Sequence, residues 1–331
     1  MERNAVSQAI GLLLFIVLIS SLGIHGCQPV ISVPRANSTP KGLPIKELSN
    51  SLTFFAMGDW GVYGQLHQQL VANQMETYAA ELAPTFLILA GDNFYPAGVS
   101  SNTDLQWKVS FENVYTGPHL PSSFYIALGN HDYQESVQAQ IDYGRQHTRW
   151  FMPSRYYTQR IAINKQSALR LIVIDTNPFV QEYRANTATF PDILQDTGKQ
   201  VKWIDSVLAN ASEPWKIVVG HHPLYSVGGD HGNQPELLQQ LGPLLKKYGV
   251  QLYLCGHSHT LQHLAPVGQT DFIISGGGGA PLGPIADSTK AQFARSSGGF
   301  SVFSLNTDSL RMGFIDTNGK LLYRWQRGRT R

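Results

Sequence analysis

Six short apolar runs punctuate the first three-quarters of the chain: Leu52–Met57, Phe86–Ala90, Phe124–Leu128, Leu169–Ile174, Lys216–Val219 and Gln251–Cys255. Most are apolar on both faces, the pattern of strands covered from both sides. Stripes at helical spacing lie between them: Leu66, Leu70, Met75, Tyr78 and Leu82, then Val201, Ile204 and Leu208, then Leu237, Leu241, Leu244 and Leu245. Alternation of strand and helix predicts βαβ units, a largely parallel core sheet and hence an α/β fold. Beyond Phe272 the helical stripes fade. Phe300–Leu305, Leu310–Ile315 and Leu321–Gln326 read as consecutive antiparallel strands, with turns at Asn306 and at Asn318-Gly319. No repeat and no second domain is visible, so residues 51–331 are expected to form one domain.

The N-terminus follows a different pattern. Ala9 to Ile24 carries no charge and Arg3 precedes it. The run is shorter than the roughly 20 apolar residues of a membrane span and reads as the hydrophobic part of a signal peptide. Ile24-His25-Gly26-Cys27 follows. It resembles a bacterial lipobox, with His25 unusual in that pattern. Residues 1–27 are therefore expected to be a signal peptide, of lipoprotein type if Cys27 is lipidated; the alternatives are a plain cleaved signal or an uncleaved anchor. Residues 28–50 carry Pro29, Pro34, Pro40 and Pro44 among Ser, Asn and Lys with no period, the mark of a flexible tether. The expectation is an exported protein, periplasmic or at the cell surface, with membrane attachment through a Cys27 lipid.

Composition narrows this further. Hydrophobic residues make up 42% of the chain, enough for a sizeable core, while 25 basic against 23 acidic residues leave a net charge of +2. That balance gives no basis for a nucleic-acid partner. There are 2 cysteines, Cys27 and Cys255. Cys255 ends an apolar strand pattern, where a buried thiol is the usual finding, so no disulfide to the leader is expected.

Chemistry is concentrated directly after the apolar runs. Gly58-Asp59-Trp60-Gly61 follows the first, Gly91-Asp92-Asn93-Phe94-Tyr95 the second and Gly129-Asn130-His131-Asp132 the third. Gly220-His221-His222-Pro223 follows the fifth and Gly256-His257-Ser258-His259 the sixth. Strand C-termini of a parallel sheet share one edge, where ligands bind, so segments spread over two hundred residues can converge. Each segment begins with Gly, which permits a tight turn. Of the 11 histidines, His131, His221, His222, His231, His257 and His259 lie in or just after these segments. Carboxylates and a phenolate are hard donors suited to a trivalent ion; imidazoles and an amide oxygen suit a divalent one. A carboxylate shared by two ions would hold them about 3.5–4 Å apart, the spacing that clamps both oxygens of an in-line displacement.

The order GD, GDN, GNHD, GHH, GHSH resembles the calcineurin-like metallophosphoesterases, and within them the purple acid phosphatases of tartrate-resistant type. The similarity includes GDWGV, GDNFYPAGV, FENVYT, GNHDY, HTRWFMPSRYYT, LLKKYGVQLYLCGHSHTLQHL and SGGGGAP. It implies a four-layer αββα sandwich and hydrolysis of phosphate monoesters by a metal-activated water. It also implies Asp59, Tyr95 and His259 as ligands of Fe(III), and Asn130, His221 and His257 as ligands of a divalent ion (Fe, Zn or Mn). Asp92 would bridge the two. His131 becomes the histidine that contacts phosphate and protonates the leaving group. His231 corresponds to a second such histidine, although it stands one residue further from His221 than the pattern expects. His222 falls at a varied position and is read as a contact either to the ligands from behind or to substrate, the alternative being a solvent-facing side chain. Ser258 stands where an aspartate is commoner.

Small phosphorylated substrates and a monomeric state are expected. Two other functions stay open: a phosphodiesterase of the same superfamily, and a non-catalytic phosphate-binding surface lipoprotein. Ser275 and the four glycines after it lack the Lys-Ser/Thr of a nucleotide-binding loop and read as a close backbone passage near the metals. His263 and Tyr156-Tyr157 read either as lining of the pocket mouth or as packing residues.

Overall fold

A computed structural model describes Ile45 and residues 47–329. The predicted signal peptide, Cys27 and all but the last positions of the predicted tether lie outside the described residues. In chain order the elements are β1 (Leu52–Met57), α1 (Gln68–Leu82), β2 (Phe86–Ala90), β3 (Phe124–Ala127), α2 (Val137–Gln146), β4 (Trp150–Phe151) and β5 (Tyr157–Ala162). There follow β6 (Ala168–Val173), α3 (Gln181–Arg184), α4 (Thr197–Ala209), β7 (Trp215–Val219), α5 (Pro235–Lys247), β8 (Leu252–Cys255), β9 (Leu261–Val267) and β10 (Thr270–Ser275). The last four are β11 (Ala291–Arg295), β12 (Gly299–Leu305), β13 (Ser309–Asp316) and β14 (Leu321–Gly328).

The strands form two 7-stranded mixed sheets rather than one largely parallel sheet, in the orders β14-β13-β12-β1-β2-β3-β4 and β11-β9-β10-β8-β7-β6-β5. Each has a parallel centre, β1-β2-β3-β4 and β6-β7-β8-β10, with antiparallel strands continuing the sheet from β1 in the first and from both sides in the second. The continuous apolar runs explain why both faces of each centre are covered. In β1, Phe54 and Ala56 face the second sheet, while Phe55 and Met57 pack with Val71 and Met75 of α1. In the second sheet, Ile217 and Val219 of β7 join the inner layer, and Val218 packs outward with Ile204, Leu237 and Leu241 of α4 and α5. Three apolar layers therefore separate four layers of structure, the αββα order. Phe54 marks the centre of the inner layer, its ring stacked 4.9 Å from Phe86 and 4.7 Å from Phe303.

Several elements depart from the sequence expectation. In α1 the buried face is Gln68, Val71, Met75, Tyr78 and Leu82. Leu66 and Leu70, read as part of that stripe, are exposed instead. Elements α2, α3, β4, β5 and β9–β11 are not among those the sequence pattern predicts. Strands β9 and β11 continue the second sheet past β10 to its edge. The end of the predicted tether is docked: Ile45 is buried among the α1 side chains and Leu48 N donates to Ser304 Oγ at 2.8 Å. Cys255 is buried and free, as its strand position predicts.

Candidate metal centre

The two parallel centres end at one edge, and the chain turns there within a residue. Asp59, Asp92 and His257 each follow a glycine that leaves a strand, and each adopts a left-handed backbone, with φ of 61°, 50° and 67°. Non-glycine residues seldom occupy this region, and it recurs at ligand-binding sites. Here it swings the side chain back over the sheet end. Two glycines are required by proximity. A Cβ on Gly91 would lie 2.5 Å from His221 Nδ1, and one on Gly276 would lie 2.1 Å from Ser258 O and 2.9 Å from Asp59 Oδ2. The glycine run thus passes against the site, as its sequence suggests.

Sheet one delivers acidic and neutral oxygen donors; sheet two delivers imidazoles. Tyr95 Oη donates to Asp92 Oδ2 at 3.0 Å and lies 3.4 Å from Asp59 Oδ1 and 3.0 Å from His259 Nε2. Asn130 Oδ1 lies 3.1 Å from both His221 Nε2 and His257 Nδ1. Asp92 stands between the two groups: its Oδ2 is 3.4 Å from His221 Nε2, and its Oδ1 accepts from His131 N at 2.8 Å. All seven residues read as metal ligands therefore converge, in two sets joined by Asp92. Cross-sheet hydrogen bonds lock them, with His257 N donating to Asp59 Oδ2 at 2.9 Å and Gly58 N to Ser275 O at 2.7 Å.

The donor atoms fit metal ions. His221 Nδ1 faces the Ala90 carbonyl at 2.9 Å and His259 Nδ1 faces that of Pro281 at 2.7 Å. Carbonyl oxygens only accept, so Nδ1 carries hydrogen in both rings and Nε2 is the atom turned to the centre. Ligand atoms of Asp59, Asp92 and His221 lie within 4.8 Å of one another, all three side chains buried.

Without metal, protons take the metal's place. Burial opposes charge on His221 and His259, yet Asp92 and Asp59 beside them raise both pKa values to about 9. Burial also opposes ionisation of Asp92, but His221 and His131 hold it well below the usual carboxylate range. Burial and then the two aspartates push the Tyr95 phenol up, while His257, buried among other histidines, is held neutral.

The remaining predicted residues fall around this centre. His131 packs its ring 4.3 Å from that of Tyr95, with Nδ1 against the Pro96 carbonyl and Nε2 4.0 Å from Asp92. The His231 ring lies 4.1 Å from His257, so the extra residue in its loop does not remove it from the site. His222 is neither solvent-facing nor placed to touch substrate. It is fully buried, with Nδ1 2.8 Å from Thr176 Oγ1 and Nε2 3.1 Å from Tyr183 Oη. Ser258 Oγ turns away into a neutral cluster with Thr260 and Gln262. His263 and Tyr157 are packing residues: His263 is buried against Asp271 and Tyr323, and Tyr157 Oη bonds backbone atoms of Ile126 and Phe151.

Sequence reasoning missed the residues beneath the ligands. The buried Asp132 carboxylate accepts from Gly129 N, Asn93 N, Asn93 Nδ2 and Gln140 Nε2, tying the second and third loops together. Burial and then Asp92 raise its pKa to about 7. Thr176 follows β6 and Asp175, and its Oγ1 accepts from the backbone N–H of His221 and His222. Asn93 and Asp132 stood inside the quoted motifs; Thr176 carried no signal.

Two mixed sheets whose parallel ends gather these donors define the class. A calcineurin-like phosphoesterase family model matches residues 52–261, and the chain belongs to that family. Within it the chain belongs with the purple acid phosphatases. It is 33% identical to purple acid phosphatase 7 of Arabidopsis thaliana, over 85% of this chain and 88% of the relative. It is 31% identical to tartrate-resistant acid phosphatase type 5 of Sus scrofa, over 88% and 89%. Among solved structures it is similar to GAP50, the anchor in the inner membrane complex of Plasmodium, with 26% identity and a TM-score of 0.74 over 85% of this chain and 90% of that one. A purple acid phosphatase from yellow lupin shares the fold at a TM-score of 0.63 and 18% identity, over 83% of this chain and 53% of that one.

Metal binding at these donors would displace protons from His221, His259 and Tyr95. Protons on His221 and His259 compete with metal below about pH 9, and the Tyr95 phenol, pushed up by burial, competes beyond it, so affinity should rise with pH through 9. Calorimetry at pH 7 in buffers of different ionisation enthalpy should show protons released on metal binding; uptake without release would contradict this donor assignment.

Proposed function

We propose that this chain hydrolyses phosphate monoesters at a dinuclear metal centre, as an acid phosphatase. The observation that carries this reading is the convergence of Asp59, Tyr95 and His259 on one side of Asp92, and of Asn130, His221 and His257 on the other. Asp59, Tyr95 and His259 would hold Fe(III), and the second set a divalent ion (Fe, Zn or Mn), with Asp92 shared. When bound, the ions supply an activated water and offset charge on the phosphoryl oxygens. The chain's own residues do the rest. Asn130 and the buried imidazoles fix the geometry in a dry site, where electrostatic interactions are strong. His131, part-exposed at the mouth with its Nε2 free of a carbonyl, would protonate the leaving oxygen. His231 faces the same opening from the second sheet and would contact phosphate there.

Small phosphorylated molecules suit a centre open at a sheet edge, and the balanced charge favours no nucleic acid. The apolar run Ala9–Ile24 and the lipobox-like segment ending at Cys27 support an exported protein, periplasmic or cell-surface, held at a membrane by a lipid on Cys27. Residues 28–44 would then serve as its tether. A monomer is the simplest assembly consistent with a site built entirely from one chain.

Asp92→Ala removes the shared ligand and should lower turnover of an aryl phosphate at least a hundredfold; substantial activity in that variant would sink the model. Iron-loaded protein should show a visible tyrosinate-to-Fe(III) band that Tyr95→Phe abolishes. A band that survives this substitution would remove Tyr95 from the iron. In bacterial expression Cys27→Ser should move the protein from the membrane to the soluble fraction, and an unchanged membrane fraction would count against the lipid anchor.

A further inference from the structure

Proton bookkeeping around His222 leads to a residue outside the ligand set. Thr176 Oγ1 accepts from His221 N at 3.3 Å and from His222 N at 3.1 Å. A hydroxyl has two acceptor lone pairs and one hydrogen, so both lone pairs are used. The remaining group near it, His222 Nδ1 at 2.8 Å, must then accept the Thr176 hydrogen. That fixes the neutral tautomer of His222 with its hydrogen on Nε2, by assignment from the network. Nε2 in turn donates to Tyr183 Oη at 3.1 Å. Tyr183 thus receives a hydrogen bond and keeps its own hydrogen unspent: no other hydrogen-bond partner of its hydroxyl is recorded among the described residues.

The placement of Tyr183 gives that spare donor a target. It stands on α3, in the segment that follows Thr176, and packs against both the helix layer of sheet one and that of sheet two. It therefore bridges the sheets at the end where the donors gather. Its ring is held by Phe190, 4.6 Å away, and by His222 at 5.5 Å. His222 in turn packs 4.3 Å from His257, whose Nδ1 faces Asn130. The hydroxyl is one imidazole away from the metal donors.

We infer that Tyr183 is a substrate-contacting residue whose hydroxyl donates a hydrogen bond to a phosphoryl oxygen, and that Thr176 and His222 are positioning residues that orient it. His222 thus serves substrate through Tyr183 rather than by touching it. This rests on the phosphatase reading, and it specifies a donor from sheet two that complements His131 from sheet one.

The test is calorimetric titration of metal-loaded protein with inorganic phosphate. Tyr183→Phe keeps the ring packing on Phe190 and removes the hydroxyl, both its spare hydrogen and the acceptor of His222 Nε2–H. Loss of one hydrogen bond to a charged oxygen should weaken phosphate binding about tenfold. Metal content and the visible spectrum should not change. A wild-type phosphate affinity, or loss of metal from Tyr183→Phe, would overturn the proposal. Thr176→Val, which also removes the acceptor of the His221 and His222 N–H groups, should weaken phosphate binding at least as much as Tyr183→Phe, while Thr176→Ser restores it; a wild-type phosphate affinity in Thr176→Val would overturn the relay. A wild-type protein that binds phosphate but does not turn over an aryl phosphate would refute the phosphatase reading, and the phosphate titration would still decide the role of Tyr183.

Discussion

Two carboxylates, Asp59 and Asp92, are buried at the meeting point of two sheets, and most of the site follows from the need to compensate them. An uncompensated buried charge costs several kcal/mol, more than a marginally stable domain can carry twice. The second sheet meets that need. His221 and His259 lie 3.4 Å from the nearest carboxylate oxygens, and His257 N donates to Asp59. In the metal-free protein those imidazoles stay protonated to about pH 9, so the positive charge is present at neutral pH. Metal ions held by the same donors would supply that compensation in place of the protons. The cluster is therefore an ion-pair network that metal ions replace rather than a cavity that they fill.

That arrangement accounts for the strained backbone. Asp59, Asp92 and His257 hold left-handed conformations at about 1 kcal/mol or more each, comparable in sum to a single uncompensated carboxylate. The neighbouring loops hold these turns in place. Asp59 N donates to Gly91 O and Ala280 N to Asp59 O, Trp60 N donates to Asp92 O, and His257 N donates to Asp59 Oδ2. Gly91 and Gly276 leave room for ligand side chains to approach the neighbouring backbone, so the glycines and the left-handed turns form one device repeated at successive strand ends.

Below the ligands lie uncharged or singly charged knots that set loop against loop. Asp132 with Asn93 and Gln140 holds the loops of sheet one, and Thr176 holds the His221-His222 pair of sheet two. Gln262 plays a related part for the His231 loop: its Oε1 accepts from Val227 N at 2.9 Å. Ser258 belongs to that neutral group, so serine in place of the commoner aspartate changes packing under the loop without removing a donor from the metals.

The sequence by itself determined the strands that carry ligands, because apolar runs ending in glycine and a polar residue are a local signal, and β1 and β2 match their runs residue for residue. The resemblance carried by its motifs also named the seven candidate donors, which the structure brings together at the strand ends. The apolar pattern by itself suggested one sheet, since strands apolar on both faces look the same whichever sheet they join; the resemblance implied the two-sheet sandwich, and the tertiary structure assigned each strand to its sheet. It also decided the fate of Leu66 and Leu70, which share a helical spacing with the core yet face solvent. Above all it decided the role of His222. A histidine beside a ligand reads as a substrate contact, and only the packing of Thr176 and Tyr183 around it shows both ring nitrogens already engaged. Hydrogen-bond partners distant along the chain leave no periodic trace in it, whereas strand ends and donor types do.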